Sequence, residues 1–552
     1  MIRKTVCLLL TAILLLSLVP ASAITFTVPA GDYRYDLLED GTAMIVAYTG
    51  SKKDKITVPE KLKGKKVTAI GSGAFAASYS KKPPTQVKLP KTLRRIESGA
   101  FSQSKITSIE IPDSVEYISA WAFSDCDNLT TVTFGKCTPE IDGNPFIYCL
   151  SLTEFKIPAD HPTLEVIDGM LFSKQDHRLI CCPFLRAERD EVLEIPEGTE
   201  IIGKEAFTFN FTMKAIHIPD SVKEMQDNAI STCEALTELH IPASVQKLGV
   251  NAYNNGLSTV TVAEDSPYLH FVDGILYSRD NTLLVWKPPV WSRDTVFTVP
   301  DGVTAIGPGA LEGNPAEEIR LPDSVTEIGD YAFENCSQLA RINLPEGIET
   351  IGDHAFAGCT ALQEISLPGS LRELGPYAFN YCTGLRSIRI PEGVTALGER
   401  ALCNTESLEE AVLPESLETI GPWAFQDSAV KQVNFPGNLA VIDKRAFDGC
   451  KNLENVDLPS SLRTIADYAF YGCQSLTEVT IPDGVTSLGY GCFGGSDGIM
   501  AIRIPASVTE MDPYVVDFRD KDQAEVYVVK KSFAEKTLKK SKRIKLKNWD
   551  GQ

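Results

Sequence analysis

A proline that returns at a nearly constant interval is the feature that most constrains how this chain can fold. It follows an apolar residue each time, and successive intervals are 23 residues with a single interval of 22. A period of this length indicates a stack of coils, because one such unit cannot bury its own apolar side chains. The regular run comprises Pro322, Pro345, Pro368, Pro391, Pro414, Pro436, Pro459, Pro482 and Pro505, and the same mark falls upstream at Pro90, Pro112, Pro158, Pro196, Pro219, Pro242 and Pro300.

Each period repeats one pattern around its proline. Before the proline, Leu362 to Leu367 reads Leu-x-x-Ile-x-Leu, in which alternate apolar residues indicate a short strand with one inward face. Pro368 ends this strand because it lacks the N–H that a sheet ladder requires. An Ile-Gly or Leu-Gly turn and an Ala-Phe pair, here Ala378-Phe379, complete the coil. About eighteen such coils are expected between Pro59 and Pro505, joined into one long domain.

Two periods are longer than the rest, and the chain ends depart from the pattern. The long periods contain strand-turn-strand segments near 166–182 and 272–287, each predicted to be a β-hairpin insert. Such inserts either elaborate one face or cap a break in curvature. The alternation from Tyr33 to Tyr48 predicts a hairpin within an N-terminal cap of residues 24–58. Residues 59–505 form the predicted solenoid, and 506–552 a C-terminal cap with strands, a short helix and a basic tail.

These residues carry a family resemblance. The unit Leu-Pro-x-Ser-Leu-x-x-Ile-Gly-x-x-Ala-Phe-x-x-Cys-x-x-Leu-x-x-Val resembles the BspA-type leucine-rich repeat of bacterial surface and secreted proteins. The inserts at Asp168–Ser173 and Asp273–Ser278 and the tail at Val528–Lys536 are similar to segments of that family. Together, residues and resemblance predict a leucine-rich-repeat solenoid, mostly β with short helical turns. It would be a curved, right-handed stack of about 18 coils with capping elements. The resemblance also implies adhesion to host matrix proteins, as in the founding member, but no shared ligand.

The N-terminus predicts export. A basic start at Arg3-Lys4, an apolar run from Thr5 to Val19 and the end Ala21-Ser22-Ala23 form a signal peptide over residues 1–23. An uncleaved anchor is the alternative. No later segment approaches the roughly 20 apolar residues of a membrane helix. The mature protein is therefore expected to be secreted or associated with the cell surface, with no transmembrane segment after cleavage.

Charge excludes one class of partner and suggests another. A net charge of −20 argues against nucleic acid, which requires a basic face. The C-terminal tail, in contrast, is basic and could contact an anionic cell-wall polymer or membrane surface. The alternative is a solvated terminal helix and strand. The basic residues are Lys530, Lys531, Lys536, Lys539, Lys540, Lys542, Arg543, Lys545 and Lys547.

Eight cysteines lie at one place in the coil, fourteen residues after the proline position. Asn210 and Asn314 occupy the same place elsewhere, which indicates a structural ladder that satisfies backbone groups of a tight turn. A zinc site lacks the paired spacing that it needs. Disulfides between neighbouring coils stay an alternative, although parallel side chains would close poorly, and buried free thiols are the main interpretation. The ladder cysteines are Cys126, Cys149, Cys233, Cys336, Cys359, Cys382, Cys450 and Cys473.

The sequence contains no pattern typical of catalysis. Its six histidines lie outside protease or metal motifs, and no phosphate-binding glycine loop or carboxylate pair stands out. His217 and His240 occupy the same outward strand position of adjacent coils and are expected to stack as a surface ladder. A histidine pair could also bind a metal, but no third ligand is evident. We therefore predict a protein that is not an enzyme and has no cofactor or metal.

Two surface rows remain as candidates for an extracellular protein or glycoprotein partner. The outward strand positions form a polar, concave face. A second row lies nine residues after the prolines and is aromatic; it would supply interface anchors or sugar-stacking platforms, or simply pack across the seams between coils. A glycan- or wall-polymer-binding protein is therefore the alternative to a protein-binding one. The strand-face candidates are His217, His240, Arg320, Asn343, Arg389, Asn434 and Arg503, and the aromatic candidates are Trp121, Tyr331, Tyr377, Trp423 and Tyr468.

Overall fold

The computed structural model describes residues 28–50, 54–79, 82–184, 192–250, 257–288, 295–516, 525–539 and 544–550. The predicted signal peptide therefore lies outside the described residues. The chain divides into two compact units, Met1–Ser266 and Pro267–Gln552, here called unit 1 and unit 2. Both are built from the same 23-residue coil.

Each coil contributes two short strands to two parallel ladders. The first strand ends before the repeating proline, and the second ends before the repeating glycine. Ile319 lies opposite Ile342 in the first ladder, and Ile328 opposite Ile351 in the second, so equivalent residues are in register. The strands are short because the proline lacks a ladder N–H. The β-solenoid has about 20 turns, close to the eighteen expected, which confirms the predicted leucine-rich-repeat solenoid.

The strands of unit 1 form several sheets. Its first strands are Lys55–Thr57, Gln86–Lys88, Ser108–Ile111, Thr131–Phe134, Glu154–Lys156, Val192–Glu194, Ala215–His217, Glu238–Ile241 and Thr259–Val262. Its second strands are Lys65–Ile70, Arg95–Ile96, Tyr117–Ser119, Glu140–Asp142, Ile201–Ile202, Glu224–Met225 and Lys247–Leu248. At the N-terminal end, Val28–Ala30, Tyr33–Leu37 and Ala43–Tyr48 form an antiparallel meander that joins the second ladder, and Lys61–Leu62 pairs with Lys65–Lys66.

The strands of unit 2 follow the same plan. Its first strands are Val296–Thr298, Glu318–Arg320, Arg341–Ile342, Glu364–Ile365, Ser387–Arg389, Glu410–Val412, Gln432–Val433, Glu478–Thr480 and Ala501–Ile504. Its second strands are Ala305–Ile306, Glu327–Ile328, Thr350–Ile351, Glu373–Leu374, Ala396–Leu397, Thr419–Ile420, Val441–Ile442, Thr464–Ile465, Ser487–Leu488 and Glu510–Met511. The C-terminal strands Glu525–Val529 and Lys545–Trp549 extend the first ladder, with the helix Phe533–Leu538 between them.

Each insert is a three-stranded antiparallel meander, one strand more than the expected hairpin. In unit 1 the strands are Leu164–Ile167, Met170–Ser173 and Arg178–Cys181; in unit 2 they are Leu269–Val272, Ile275–Ser278 and Leu283–Trp286. The third strand then pairs in parallel with the next coil's second strand. All four residues of Met170–Ser173 are buried. This middle strand is therefore enclosed, whereas the sequence predicted that the insert would project from the solenoid.

A column of stacked phenylalanine rings fills the interior of both units. In unit 2 the rings of Phe333, Phe356 and Phe379 are parallel within 10°, with centroids 5.0 and 5.3 Å apart, and all three are fully buried. These distances match the roughly 4.8 Å between neighbouring strands, so each coil places one ring on the ring below it. In unit 1 the column runs through Phe75, Phe101, Phe123 and Phe146.

The Ala-Phe turns are not the short helical turns that the sequence suggested. The helical residues in the described part of the chain are Ala77–Tyr79, Phe184 and Phe533–Leu538. Instead, alternate N–H groups of each turn donate to the next coil, as from Tyr377 to Glu399 O and from Phe379 to Ala401 O. This third ladder requires a left-handed backbone at the aromatic-row position, such as φ +56° at Tyr377, and again four residues later, φ +58° at Tyr381. These two left-handed residues let the N–H groups of Tyr377 and Tyr381 point to the same neighbouring coil as the N–H group of Phe379.

Candidate binding surfaces

The ladder cysteines donate their thiols to backbone carbonyls of the preceding coil. Cys359 Sγ lies 3.2 Å from Phe333 O, and the same carbonyl accepts the N–H of Cys336, so both oxygen lone pairs are used. The equivalent thiol contacts are 3.0 to 3.3 Å for Cys126, Cys149, Cys233, Cys336, Cys382, Cys450 and Cys473. The row therefore connects the turns of successive coils.

Other hydrogen-bonding residues occupy the same position in coils without a cysteine. Ser496 Oγ donates to Phe470 O at 2.7 Å, and Thr405 Oγ1 to Leu402 O at 2.8 Å. Ser104 and Ser428 are also buried there. The sequence pattern indicated only cysteine and asparagine at this position. Counting fourteen residues from each proline would also have found these serine and threonine residues.

The thirteen cysteines that the structure describes are free, buried thiols. Burial raises the pKa of Cys382, Cys233 and Cys450 to about 12. A thiol in this environment stays protonated and is a poor nucleophile, since the thiolate is the reactive form. The ladder can therefore hold the coils together, but it does not supply a reactive cysteine.

The two candidate histidines do not form the expected pair. His217 Nδ1 lies 2.6 Å from Glu194 Oε1 of the preceding coil, whereas His240 Nδ1 lies 2.9 Å from Thr261 Oγ1 of the following coil. Both rings are exposed. Each forms its hydrogen bond with the coil on the side away from the other histidine, because the better hydrogen-bond partner lies on that side. The expectation of a histidine stack was wrong. Among the described residues, no group of three His, Cys, Asp or Glu side chains is placed to hold a metal ion.

The two candidate asparagines are engaged with backbone. Asn343 Oδ1 accepts the N–H of Leu321 at 2.9 Å, and its Nδ2 donates to Leu321 O at 2.8 Å. Asn434 makes the same pair of bonds to Leu413, both at 2.8 Å. In other coils a backbone carbonyl occupies this place, as where Val299 N donates to Arg320 O. The asparagine amide thus replaces a peptide group of the ladder, which gives these two residues a structural role.

The three candidate arginines differ in whether an acidic side chain pairs with them. Arg320 is paired with Glu318, with Nε 2.6 Å from Oε1. Arg503 contacts Glu478 at 3.1 Å and lies over the ring of Tyr527. Arg389 is exposed and has no ion-pair partner among the residues that the structure describes.

A groove crosses the first strands of unit 2 beside Arg389. It is an open depression of about 1170 Å³ whose lining includes Ala411 and Val412. Val412 places an apolar side chain at the outward position that is usually polar, whereas Ala411 is buried on the inward face. Lys431 is paired with Glu409 at 2.9 Å on one wall. The lining residues are Arg386, Ser387, Glu406, Ser407, Glu409, Glu410, Ala411, Val412, Lys431, Gln432, Asn434 and Glu454. The groove therefore combines charges of both signs with a small apolar centre.

The aromatic row of unit 2 is a stacked ladder along the seams between coils. His354 lies between Tyr331 and Tyr377, with ring centroids 4.8 and 4.3 Å away and planes within 12° of parallel. Arg400 then lies over both Tyr377 and Trp423, at 5.4 and 5.0 Å from the ring centroids. Arg445 covers Tyr468 at 4.7 Å. These side chains cover one another's faces, which favours packing over ligand binding for most of the row.

The aromatic residue of unit 1 packs against a buried carboxyl group. Trp121 Nε1 donates to Glu205 Oε1 at 2.8 Å, and its ring meets Phe209 edge-on. Burial raises the pKa of Glu205 to about 7. Its second carboxyl oxygen is buried without a hydrogen-bond partner among the described residues. Trp121 is thereby held in the seam between coils and is half-buried.

Two cations flank one ring at the basic C-terminal segment. Tyr527 lies between Arg503 and Lys547, at 5.4 and 5.8 Å from its centroid, and its hydroxyl donates to Glu525. Lys545 is exposed on the same strand, whereas Lys540, Lys542 and Arg543 lie outside the described residues. Among the described helices, none is long and apolar enough to cross a membrane.

Comparison with known proteins identifies the repeat. The family described as the BspA type leucine rich repeat region matches residues 46–177, 187–269, 304–431 and 396–521. No curated protein matches the chain. Solved structures that resemble it include a leucine-rich cell surface protein from Faecalibacterium prausnitzii (29% identity, 71% of this chain and 96% of that one, TM-score 0.38). Leucine-rich-repeat proteins from Eubacterium ventriosum (19%, 76% and 93%, 0.38) and Bacteroides ovatus (19%, 91% and 100%, 0.33) are others.

A leucine-rich-repeat solenoid is typically a binding scaffold, because stacked coils create an extended surface without a central catalytic cleft. The in-register strand pairs, the phenylalanine column and the matched repeats cover most of both units. The chain belongs to the BspA-type leucine-rich-repeat family.

Proposed function

We propose that this protein is a secreted or cell-surface binding protein whose first-strand face in unit 2 binds an extracellular protein. The groove around Val412 is the observation that carries the proposal. It is concave, it has an apolar centre within a charged rim, and Arg389 beside it is exposed. Protein interfaces share this anatomy, with a small apolar core surrounded by polar groups that set orientation.

The electrostatics of the groove favour a partner segment with both charge signs. Lys431 and Glu409 neutralise each other, which leaves Arg386, Glu406, Glu410 and Glu454 as the other charged residues of the lining, with Arg389 opposite Val412. Such a distribution gives orientation and specificity more than raw affinity. An apolar side chain of the partner would contact Val412.

A crosslinking experiment on intact producing cells tests this function. Proteins captured by the wild type are compared with those captured by Val412→Asp, which places a charge in the groove floor. Thr480→Asp is the matched control, because Thr480 is the equivalent outward residue three coils away and lies outside the groove. We expect at least a tenfold loss of the main captured protein for Val412→Asp and no change for Thr480→Asp. Equal capture by both variants would contradict the proposal.

A second candidate function is binding of an anionic wall polymer by the C-terminal segment. The cations around Tyr527 are the observation that favours it, since Arg503 and Lys547 flank this ring and Lys545 is exposed on the same strand as Lys547, on an otherwise acidic chain. Affinity for a purified teichoic acid would then fall steeply with salt, as expected for charge-driven binding. Lys545→Glu with Lys547→Glu should abolish it, and salt-independent binding would exclude this role.

A further inference from the structure

Four tyrosines form an exposed cluster on the last three coils of unit 2. Tyr471, Tyr490 and Tyr514 are 37%, 39% and 54% exposed, and Tyr468 is partly buried beside them. Tyr490 lies 5.3 Å from Tyr468 and 5.8 Å from Tyr514, and Tyr471 lies 5.6 Å from Tyr468. This tyrosine cluster lies on the turns, away from the groove on the first strands.

The aromatic row is interrupted within the cluster. Gly491, which is buried, occupies the row position between Tyr468 and Tyr514, so glycine backbone rather than a row side chain lies against the Tyr468 ring, and Tyr490 packs edge-on to the same ring. A Cβ atom at Gly491 would meet the Tyr468 ring at 3.1 Å, and one at Gly494 would meet the Tyr471 ring at the same distance. Two tyrosine rings thus lie against glycine backbone, which holds them in place without covering their outer surfaces.

The groups around the cluster indicate an uncharged, hydroxyl-rich ligand. Asp467 and Asp512 border it, each accepting a tyrosine N–H with one carboxyl oxygen: Tyr490 N at 2.6 Å and Tyr514 N at 2.8 Å. Arg445, which lies over the Tyr468 ring at 4.7 Å, is paired with Asp448 at 2.7 Å. Carboxylates accept hydrogen bonds from hydroxyl groups but repel anions. A polyanion is therefore disfavoured at this surface.

Tyrosine rings and carboxylates together match the two faces of a sugar. The C–H groups of a hexose pack on an aromatic face, while its hydroxyls bond tyrosine hydroxyls and carboxylate oxygens. Tyr468, Tyr490 and Tyr514 belong to three successive coils, and their neighbouring ring centroids are 5.3 and 5.8 Å apart. Successive hexoses of an extended glycan have a similar spacing, so a glycan parallel to the stack would contact one coil per sugar.

We propose that the tyrosine cluster of Tyr468, Tyr471, Tyr490 and Tyr514 binds a neutral, extended polysaccharide. This is a binding site separate from the protein-binding groove and from the basic C-terminal segment. The protein would then contact a protein and a glycan through different surfaces of unit 2.

The test uses the whole protein and defined probes. Affinity electrophoresis and calorimetry are run with neutral β-linked hexose polymers and oligomers, with polygalacturonate and teichoic acid as anionic probes. The variant is Tyr490→Ala with Tyr514→Ala. The matched control is Tyr381→Ala, because Tyr381 is equally exposed, at 55%, but lies outside the cluster. We expect at least a tenfold loss of affinity for a neutral glycan in the double variant and none in the control.

A second variant tests this row position without removing any tyrosine. Gly491→Tyr introduces a residue that this left-handed position accepts in the preceding coil, where Tyr468 has φ +57°. Because its Cβ would meet the Tyr468 ring at 3.1 Å, the substitution should displace that ring and weaken glycan binding. Thermal unfolding establishes that each variant is folded.

Three results would overturn the proposal: no neutral glycan binds, the double variant binds as well as the wild type, or only anionic polymers bind and the tyrosine variants do not affect them. Val412→Asp should leave glycan binding unchanged. Failure of the protein-binding groove and failure of the glycan site are therefore distinguishable.

Discussion

The phenylalanine column and the aromatic row of unit 2 both add one side chain per coil, yet they obey different rules. Phe425, Phe447, Phe470 and Phe493 are fully buried and their planes lie within 5° of parallel. The aromatic row lies at the surface seam and accepts tyrosine, histidine, tryptophan, arginine and glycine. The phenylalanine column repeats one type of side chain. The aromatic row repeats a left-handed backbone conformation and varies in its side chains.

The difference follows from what each position must satisfy. An interior ring has to fill a fixed volume, because protein interiors are close-packed and a cavity is costly. A residue of the aromatic row has to adopt a left-handed φ so that its N–H reaches the next coil, after which any side chain that can stack is tolerated. Function can therefore develop in the aromatic row, as at Gly491, but not in the column.

The largest effect is expected from truncation of the column. Phe356→Ala should lower the free energy of unfolding by about 3–5 kcal/mol, because it removes two ring stacks and leaves a cavity. Tyr377→Ala, which truncates a ring of the aromatic row one coil away, should cost less than half as much. Urea unfolding followed by circular dichroism measures both. Equal losses would mean that the aromatic row carries as much stability as the column.

The next effect concerns pH, because the aromatic row contains a titratable group. Burial lowers the pKa of His354 to about 4, well below its usual value. The unfolded chain binds this proton first, so stability should fall as pH decreases from about 6.5 to about 4, by at most about 3 kcal/mol. His354→Tyr keeps a ring that can stack but does not titrate in this pH range. The stability of this variant should therefore lack this fall between about pH 6.5 and about pH 4. Identical pH profiles of wild type and variant would refute this assignment.

A smaller loss of stability is expected at the cysteine ladder. Cys382→Ala should cost about 1–2 kcal/mol, since it removes the thiol bond to Phe356 O and some buried volume. Cys382→Ser should cost less than about 1 kcal/mol, because Ser496 makes the equivalent bond. Thermal and urea unfolding compare them. A serine variant less stable than the alanine variant would show that sulfur packing, rather than hydrogen bonding, dominates.

The smallest effect is expected at a charged position of the aromatic row. Arg400→Gly loses its contacts with Tyr377 and Trp423 but relieves a left-handed backbone at φ +52°. The two contributions are each about 1 kcal/mol and opposite in sign, so the net change should be below about 1 kcal/mol. Arg386→Gly, at a position without the left-handed constraint, is the control for loss of an arginine alone. A loss above about 2 kcal/mol would place Arg400 among the structural residues.

Much of this could be predicted from periodicity, and the errors have identifiable causes. The proline spacing predicted the coil, and the Ala-Phe pair predicted its interior. The left-handed turns were missed, although Gly309 and Gly491 in the aromatic row and Asn335 and Gly358 four residues further along are residue types typical of positive φ. His217 and His240 share a position, but which neighbour a surface side chain bonds depends on the charges around it, not on the period.

The amino-acid sequence by itself determined the period, the first ladder and the burial of a large apolar residue, usually phenylalanine, after the alanine of each coil, because these depend on local pattern and on stacking of similar units. The tertiary structure decided that the Ile-Gly segment forms a second ladder and what each surface position does. Asn343 and Asn434 became part of the backbone ladder, most of the aromatic row became seam packing, and Gly491 placed backbone against the Tyr468 ring. These outcomes depend on which side chains meet across the seam between coils, where residues about 23 positions apart come into contact.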